Sequence, residues 1–356
     1  MFILINDSKQ GCLKVFGVFD GHGPFGHKVS KYVQTKFLTE YIIQNDYLKP
    51  EMINTPERFE DIKRELINIF LDIQDELEAK NFPEGFEDDE SISGTQNDND
   101  MIRKISEESE EEKVPKEHHV NFKESSSMKS DKSSDKDIRT GNFIKDSNLF
   151  HHEENPFQHG DLSLSGSTCT LAFHINRRII MAYVGDSYAC VGCRGKRFKS
   201  GGTANIGQQK GKKAILLMPP EMDHTPKNME EKIRIYNSSG EVRESAVDKK
   251  RRIYVRARMY PGLSISRSLG DALAHEIGVV STPDIIEYNT GSDLFLVHGS
   301  GGLWDLLSAE EVAELATSYQ ENGSVDPIWT KVKDSCLNDG GTIDDVSLIV
   351  SYFNRS

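Results

Sequence analysis

The chain has 356 residues, with 43 Lys and Arg against 57 Asp and Glu, a formal charge of −14. That acidic excess argues against nucleic acid as a partner, because nucleic acid is held mainly by Lys and Arg. No apolar run approaches the ~18 residues of a membrane span, and Phe2-Ile3-Leu4-Ile5 is too short for a signal-peptide core. Five cysteines at irregular spacing do not form a disulfide framework, so an intracellular protein, cytoplasmic or nuclear, is expected.

Residues 13–19 are apolar enough for a buried strand. A Gly-rich turn follows, then a helical stretch near 26–44. Thr55 caps a second predicted helix and Pro56 suits its first position; Phe59, Ile62, Leu66, Ile69, Ile73 and Leu77 form its apolar stripe. Composition changes at 83–161, where 21 acidic residues face 10 basic ones. Leu, Ile, Val and Phe make up only about 16% of that stretch, below the ~20% associated with disorder. It reads as a disordered acidic insertion that interrupts one domain spanning 1–353. Beyond it, 167–175 and 178–184 read as neighbouring strands joined at Asn176-Arg177. Further strands are predicted at 214–218, 252–257, 294–298 and 346–352. Ser308 to Glu311 matches a capping box, and Asp326-Pro327 reads as a helix start. Strands dominate and the helices are grouped, which favours an α+β fold with mainly antiparallel sheets.

Four aspartates share one setting, an apolar strand or turn running into Asp beside a small or polar residue: Asp20, Asp186, Asp305 and Asp344. Strand ends project side chains from a rigid sheet, where several carboxylates can meet. Converging carboxylates repel unless cations neutralise them, and Mg²⁺ or Mn²⁺ prefer such oxygen ligands. Two such ions ~3.5–4 Å apart can hold one water between them, lower its pKa and aim it at phosphorus. His22, two residues after Asp20, titrates near neutrality and suits protonation of a leaving group. Taken singly, each Asp-Gly is an ordinary turn.

Other motifs carry less. Gly21, Gly23 and Gly26 fit a dinucleotide fingerprint, but no second parallel strand ending in an acid follows. Trp304-Asp305 matches a propeller dipeptide in a single copy. Cys190 and Cys193 have no second pair to complete a zinc site. A basic run (Arg194, Lys196, Arg197, Lys199, Lys210, Lys212, Lys213) reads as a solvated loop or as a docking patch for acidic phosphosubstrates.

In series, six motifs resemble the protein phosphatase 2C family of metal-dependent Ser/Thr phosphatases. They are Phe16-Gly17-Val18-Phe19-Asp20-Gly21-His22-Gly23, Gly166-Ser167-Thr168, Val184-Gly185-Asp186-Ser187, Leu263-Ser264-Ile265-Ser266-Arg267-Ser268-Leu269-Gly270-Asp271, Gly302-Leu303-Trp304-Asp305 and Gly341-Thr342-Ile343-Asp344-Asp345. The resemblance implies a sandwich of two antiparallel sheets flanked by helices, with two Mg²⁺ or Mn²⁺ ions at one end. It implies Asp20 as the bridging ligand, the Gly21 carbonyl on the first metal and Asp344 on the second. Asp186 and Asp305 match ligands of a further, weaker metal, and His22 matches the general acid. Substrates would be phosphoserine and phosphothreonine proteins, attacked by water without a phosphoenzyme, and the protein would be a monomer.

Three departures accompany the resemblance. Gly301 stands where the family has a metal-ligand Asp. The family's phosphate-gripping Arg and an early acidic ligand belong to a strand well ahead of Asp20, so that first strand region is expected to be missing here. Either Met1 is internal to a longer chain or the protein lacks that strand. Asp345 replaces a frequent Asn. Loss of carboxylates and of a bidentate phosphate clamp weakens such a site. Two readings therefore stand: a metal-dependent phosphatase, and a pseudophosphatase that binds or scaffolds.

Overall fold

The computed structural model describes residues 1–8, 11–37, 42, 56–79, 162–175, 177–192, 214–218, 222–246, 248–291, 293–319, 323–339 and 344–353. In chain order the elements are β1 (Phe2–Ser8), β2 (Gly11–Val18), β3 (Gly21–His22), α1 (Gly26–Thr35), α2 (Pro56–Ala79), β4 (Gly166–Ser167), β5 (Cys169–Ile175), β6 (Arg178–Val184), β7 (Tyr188–Gly192) and β8 (Ala214–Leu216). They continue with α3 (Met229–Asn237), β9 (Gly240–Glu244), β10 (Arg251–Val255), β11 (Pro261–Leu263), β12 (Leu269–Gly270), α4 (Ala272–His275), β13 (Asp284–Asn289), β14 (Phe295–Gly299), α5 (Gly301–Trp304), α6 (Ala309–Ser318), α7 (Val325–Asp339) and β15 (Leu348–Tyr352).

Period-two alternation builds the layers. On β6, Ile179, Met181 and Tyr183 point to one face, while Ile180, Ala182 and Val184 point to the other. The first set meets Ala189, Val191, Leu296 and Ile349 from β7, β14 and β15, and this is the core between the two main sheets. The second set packs against Val29 and Val33 of α1 and Leu66, Phe70 and Ile73 of α2. Across the molecule, Cys190, Phe295 and Val297 face α6 and α7 through Val312, Ala313, Ala316, Ile328 and Val332. The order of layers is helix, sheet, sheet, helix. One sheet runs β1-β2-β5-β6-β13 and the other β15-β14-β7-β8, and every pairing within them is antiparallel. A smaller sheet, β11-β10-β9, has its own core with α3 and α4 around Ile235, Ile253, Ala274, Ile277 and Val279. These residues all belong to one unit, Met1–Glu87 with Gly160–Ser356.

The α+β sandwich is as the sequence predicts, with one correction at its edge. Phe2–Ser8 forms a strand paired with β2 from Phe2↔Gly17 to Ser8↔Gly11, so the sheet does have a strand ahead of β2. It was missed because the four apolar residues at 2–5 run straight into Asn6, Asp7 and Ser8. Two helix limits also differ. Helix α1 ends at Thr35 rather than near 44, and α7 begins at Val325, which puts Asp326 and Pro327 inside its first turn. The predicted box at α6 is present: Ser308 accepts from the Glu311 amide, and Glu311 accepts from the Ser308 amide. Thr55, Asn176, the acidic stretch 83–161 and the basic run from Arg194 to Lys213 lie outside the described residues. No described helix is long and apolar enough to cross a membrane.

Candidate active site

Strand register places the predicted residues at one end of the sandwich. Val18 pairs with Thr170 and Cys169 with Val184, so the end of β2, the start of β5 and the end of β6 share an edge. Gly299 pairs with both Tyr188 and Leu348, which brings the end of β14 and the starts of β7 and β15 to one edge of the second sheet. Asp20 follows β2, Asp186 links β6 to β7, Asp305 follows α5 after β14, and Asp344 precedes β15. All four therefore leave the two sheets at strand ends.

Hydroxyl residues fix these turns. The Asp20 amide donates to Thr168 Oγ1 at 3.0 Å, and the Thr168 amide donates back to the Asp20 carbonyl at 2.9 Å. Thr168 Oγ1 meets Ser187 Oγ at 2.7 Å, which ties the Asp20 turn to the Asp186 turn. On the other sheet, Ser300 Oγ donates to the Asp345 carbonyl at 3.2 Å and accepts from the Ser347 amide at 2.9 Å, so the strand carrying Asp344 is stapled to α5. Trp304 Nε1 donates to the Gly299 and Tyr188 carbonyls at 2.9 and 3.1 Å and locks α5 over that edge.

The Gly21 turn requires glycine. A Cβ there would lie 2.2 Å from the Gly26 carbonyl oxygen, so β3 and the start of α1 meet only because neither residue has a side chain. That close approach, with antiparallel sheets on both sides, replaces the dinucleotide reading of Gly21, Gly23 and Gly26.

The carboxylates are mutually repulsive. Burial, then the charges of Asp186 and Asp344, push Asp20 up to about 7, with His22 opposing. Burial and Asp305 push Asp186 up to about 6, with Lys250 and His22 opposing. Asp20, Asp186 and Asp344 thus form one coupled group, and Asp305 acts on it through Asp186. Such all-oxygen, charge-strained donors suit a hard divalent cation, whose binding would favour the ionised carboxylates. Among the described residues no three His, Cys, Asp or Glu side chains close a coordination shell. The fit is therefore one of donor chemistry and charge. Gly301 lies against this group: a Cβ there would be 3.2 Å from Asp186 Oδ1.

His22 has a partner that sequence reasoning did not assign. Its Nε2 lies 2.6 Å from Asp271 Oδ2, and Ser268 Oγ donates to the same oxygen at 2.6 Å. Asp271 is 2% exposed and holds a left-handed backbone at φ 49. Gly166 makes room for the pair, since a Cβ there would sit 2.2 Å from Asp271 Oδ2 and 2.8 Å from His22 Nε2. Burial works against a charged ring, but Asp271 outweighs it and raises His22 above its ordinary value. The 266–271 segment is itself held by buried Glu231. Burial opposes ionisation of Glu231, yet Arg234, Arg267 and Ser266 hold its carboxyl at about 2. The signal for Asp271 was its place at the end of the Ser268-Leu269-Gly270-Asp271 run.

A family model for protein phosphatase 2C matches residues 102–345. The chain belongs to the protein phosphatase 2C family. The matched span includes Asp186, Asp271, Asp305 and Asp344 and starts beyond Asp20 and His22, which the strand register brings to the same end. Among curated protein phosphatase 2C sequences, the chain is 30% identical over 199 residues to probable protein phosphatase 2C 61 of Arabidopsis thaliana, covering 55% of this chain and 57% of that one. It is 33% identical over 171 residues to probable protein phosphatase 2C 12 of Oryza sativa subsp. japonica, covering 46% and 39%. The chain spans about half the length of the curated relatives it matches. The crystal structure of a serine-threonine phosphatase 2C from Toxoplasma gondii superposes with a TM-score of 0.55 at 16% identity, covering 99% of this chain and 93% of that one, a likeness of fold.

Proposed function

We infer that this protein phosphatase 2C chain hydrolyses phosphoserine and phosphothreonine in proteins, with Mg²⁺ or Mn²⁺ held by Asp20, the Gly21 carbonyl and Asp344. The observation that carries the reading is the juxtaposition of the coupled carboxylates Asp20, Asp186 and Asp344 with a histidine anchored on Asp271. Bound there, hard divalent ions supply an attacking water of lowered pKa. The chain's own residues do the rest. Asp20 and Asp344 approach from different sheets, so a phosphoryl group would be drawn to the end of the sandwich by divalent ions held there. His22 Nε2–H donates to Asp271, which fixes the ring and leaves Nδ1–H to protonate the departing serine or threonine oxygen. Asp271 acts through His22 and is a positioning residue. Asp186 and Asp305 make up the neighbouring end of the site. No cysteine nucleophile is needed; Cys169, Cys190 and Cys336 are buried. The same reading makes the protein an intracellular monomer acting on phosphoproteins.

The test is phosphate release from a phosphothreonine peptide by the purified chain with Mn²⁺ or Mg²⁺. Release well above an Asp20→Ala control supports the reading; release equal to that control rejects it. A second reading, a phosphoprotein-binding pseudophosphatase, is favoured by one observation, the bare Gly301 beside Asp186. It requires that the peptide bind without turnover and that Gly301→Asp gain release.

A further inference from the structure

Beside the coupled carboxylates lies a cavity of roughly 200 Å³, whose walls include Asp186, Lys250, Gly301, Trp304 and Asp305. Of its acidic walls, Asp186 and Asp305 come from the ends of the two main sheets and Asp223 from the segment before α3. Its basic walls are Lys227, ahead of α3, and Lys250 just before β10 with Arg251 at its start, in the smaller sheet with its own core. Lys250 Nζ lies 2.6 Å from Asp305 Oδ2, across 55 residues of sequence. The backbone carrying it is tied down. The Lys250 amide donates to Asp248 Oδ1 at 3.1 Å, the Ser245 amide donates to the Lys250 carbonyl at 2.8 Å, and Asp248 also pairs with Arg252. The turn thus fixes where the Lys250 side chain starts, while the ammonium and the Asp305 carboxylate stay open to solvent.

We propose that Lys250 is the resident cation of the Asp186–Asp305 end of the site, a tethered ammonium that keeps divalent metal from that position. Charge and space lead to the same place. Asp186 and Asp305 repel each other, and Lys250 attracts both. Position 301 offers no third carboxylate, although a side chain there would begin 3.2 Å from Asp186 Oδ1. Asp186, Asp305 and the Lys250 ammonium together carry a net charge of −1, and the other charged walls of the cavity, Asp223, Lys227 and Arg251, shift it toward positive. A divalent ion at Asp305 must displace an ammonium bound at 2.6 Å and then endure its repulsion at close range. The third carboxylate lining the cavity, Asp223, is already engaged by the Tyr188 and Thr225 hydroxyls, so it adds little to offset that. This holds whether or not the chain turns over substrate, because it concerns only which cation sits between Asp186 and Asp305.

The experiment counts Mn²⁺ bound to the full chain by electron paramagnetic resonance, with isothermal titration calorimetry for affinity. Wild type, Lys250→Met and Lys250→Met/Asp305→Asn are compared, with Lys250→Gln as the polar alternative if the Met variant is poorly folded. Removing the ammonium should add one Mn²⁺ per chain and enlarge the rise in Tm produced by Mn²⁺. The double variant should return to the wild-type count. An unchanged count in both Lys250 variants overturns the proposal, as does an added ion that survives loss of the Asp305 carboxylate. Phosphate release is not part of the readout, so an inactive chain would leave the outcome readable.

Discussion

The two ends of the carboxylate group solve one electrostatic problem in different ways. At the Asp20–Asp344 end the described neighbours include no lysine or arginine within hydrogen-bonding distance of either carboxylate, and Asp20 is driven up to about 7. At the Asp186–Asp305 end an ammonium sits 2.6 Å from one carboxylate and opposes the rise of Asp186. Both ends place acids at strand ends, in each case one half-buried (Asp20, Asp186) and one exposed (Asp344, Asp305). The first has the titratable His22 ring opposing it, and the second carries an ammonium as well. The difference suggests that dependence on an external cation is a local property of each carboxylate's surroundings, set here by the turn before β10.

The largest effect that would break this comparison is expected from Asp20. Asp20→Asn should reduce phosphate release on the order of 10³-fold and abolish the Mn²⁺-induced rise in Tm, because the carboxylate proposed to hold the metal is gone. Steady-state kinetics and thermal melts with and without Mn²⁺ check both parts. Next in size is the histidine pair. Asp271→Asn should lower kcat by about 10²-fold with little change in KM, the signature of a mis-set general acid. If KM rises while kcat holds, Asp271 serves binding instead.

A scaffold control sharpens the comparison by separating fold stability from site chemistry. His298 on β14 is fully buried, with no hydrogen-bond partner for either ring nitrogen among the described residues, and burial depresses it to about 3. Its folded value lies below the unfolded one, so the unfolded chain takes up a proton first as pH falls. Stability is full above about pH 6.5 and declines below it by up to ~1.4 kcal/mol per pH unit. Urea melts at pH 7 and pH 5 should therefore differ by about 2 kcal/mol from this residue alone. His298→Leu should remove that increment, raise stability at pH 7 by about 1–2 kcal/mol and leave Mn²⁺ binding as in wild type. Smaller still is Gly301→Asp. A carboxylate placed against Asp186 should cost about 1 kcal/mol without metal, through crowding and like charge, and the loss should shrink when Mn²⁺ is added. Thermal melts with chelator and with Mn²⁺ measure it.

Much of the frame was legible in the sequence because layers are built by periodic apolar residues. The apolar run in 178–184 forms the strand it predicts, and the stripe Phe59, Ile62, Leu66, Ile69, Ile73 and Leu77 faces the core. Strand β9 was not anticipated: Gly240-Glu241-Val242-Arg243-Glu244 has one strong apolar residue and stands only by pairing with β10. The four aspartates were legible because strand, turn and Asp recur in sequence. Asp271 and Lys250 were not, for a physical reason: each acts through a partner far along the chain, His22 at 249 residues and Asp305 at 55. Local composition presents Lys250 only as one member of the run Lys249-Lys250-Arg251-Arg252, and nothing in that run says which cation meets a carboxylate.

The most direct test of the asymmetry is the Mn²⁺ count of two single variants against wild type, measured by electron paramagnetic resonance at pH 7. Asp20→Asn should lose bound Mn²⁺, while Asp305→Asn should keep the wild-type count, since its carboxylate is already matched by Lys250. Loss of Mn²⁺ in Asp305→Asn equal to that in Asp20→Asn would contradict the account and make both ends one metal-dependent site.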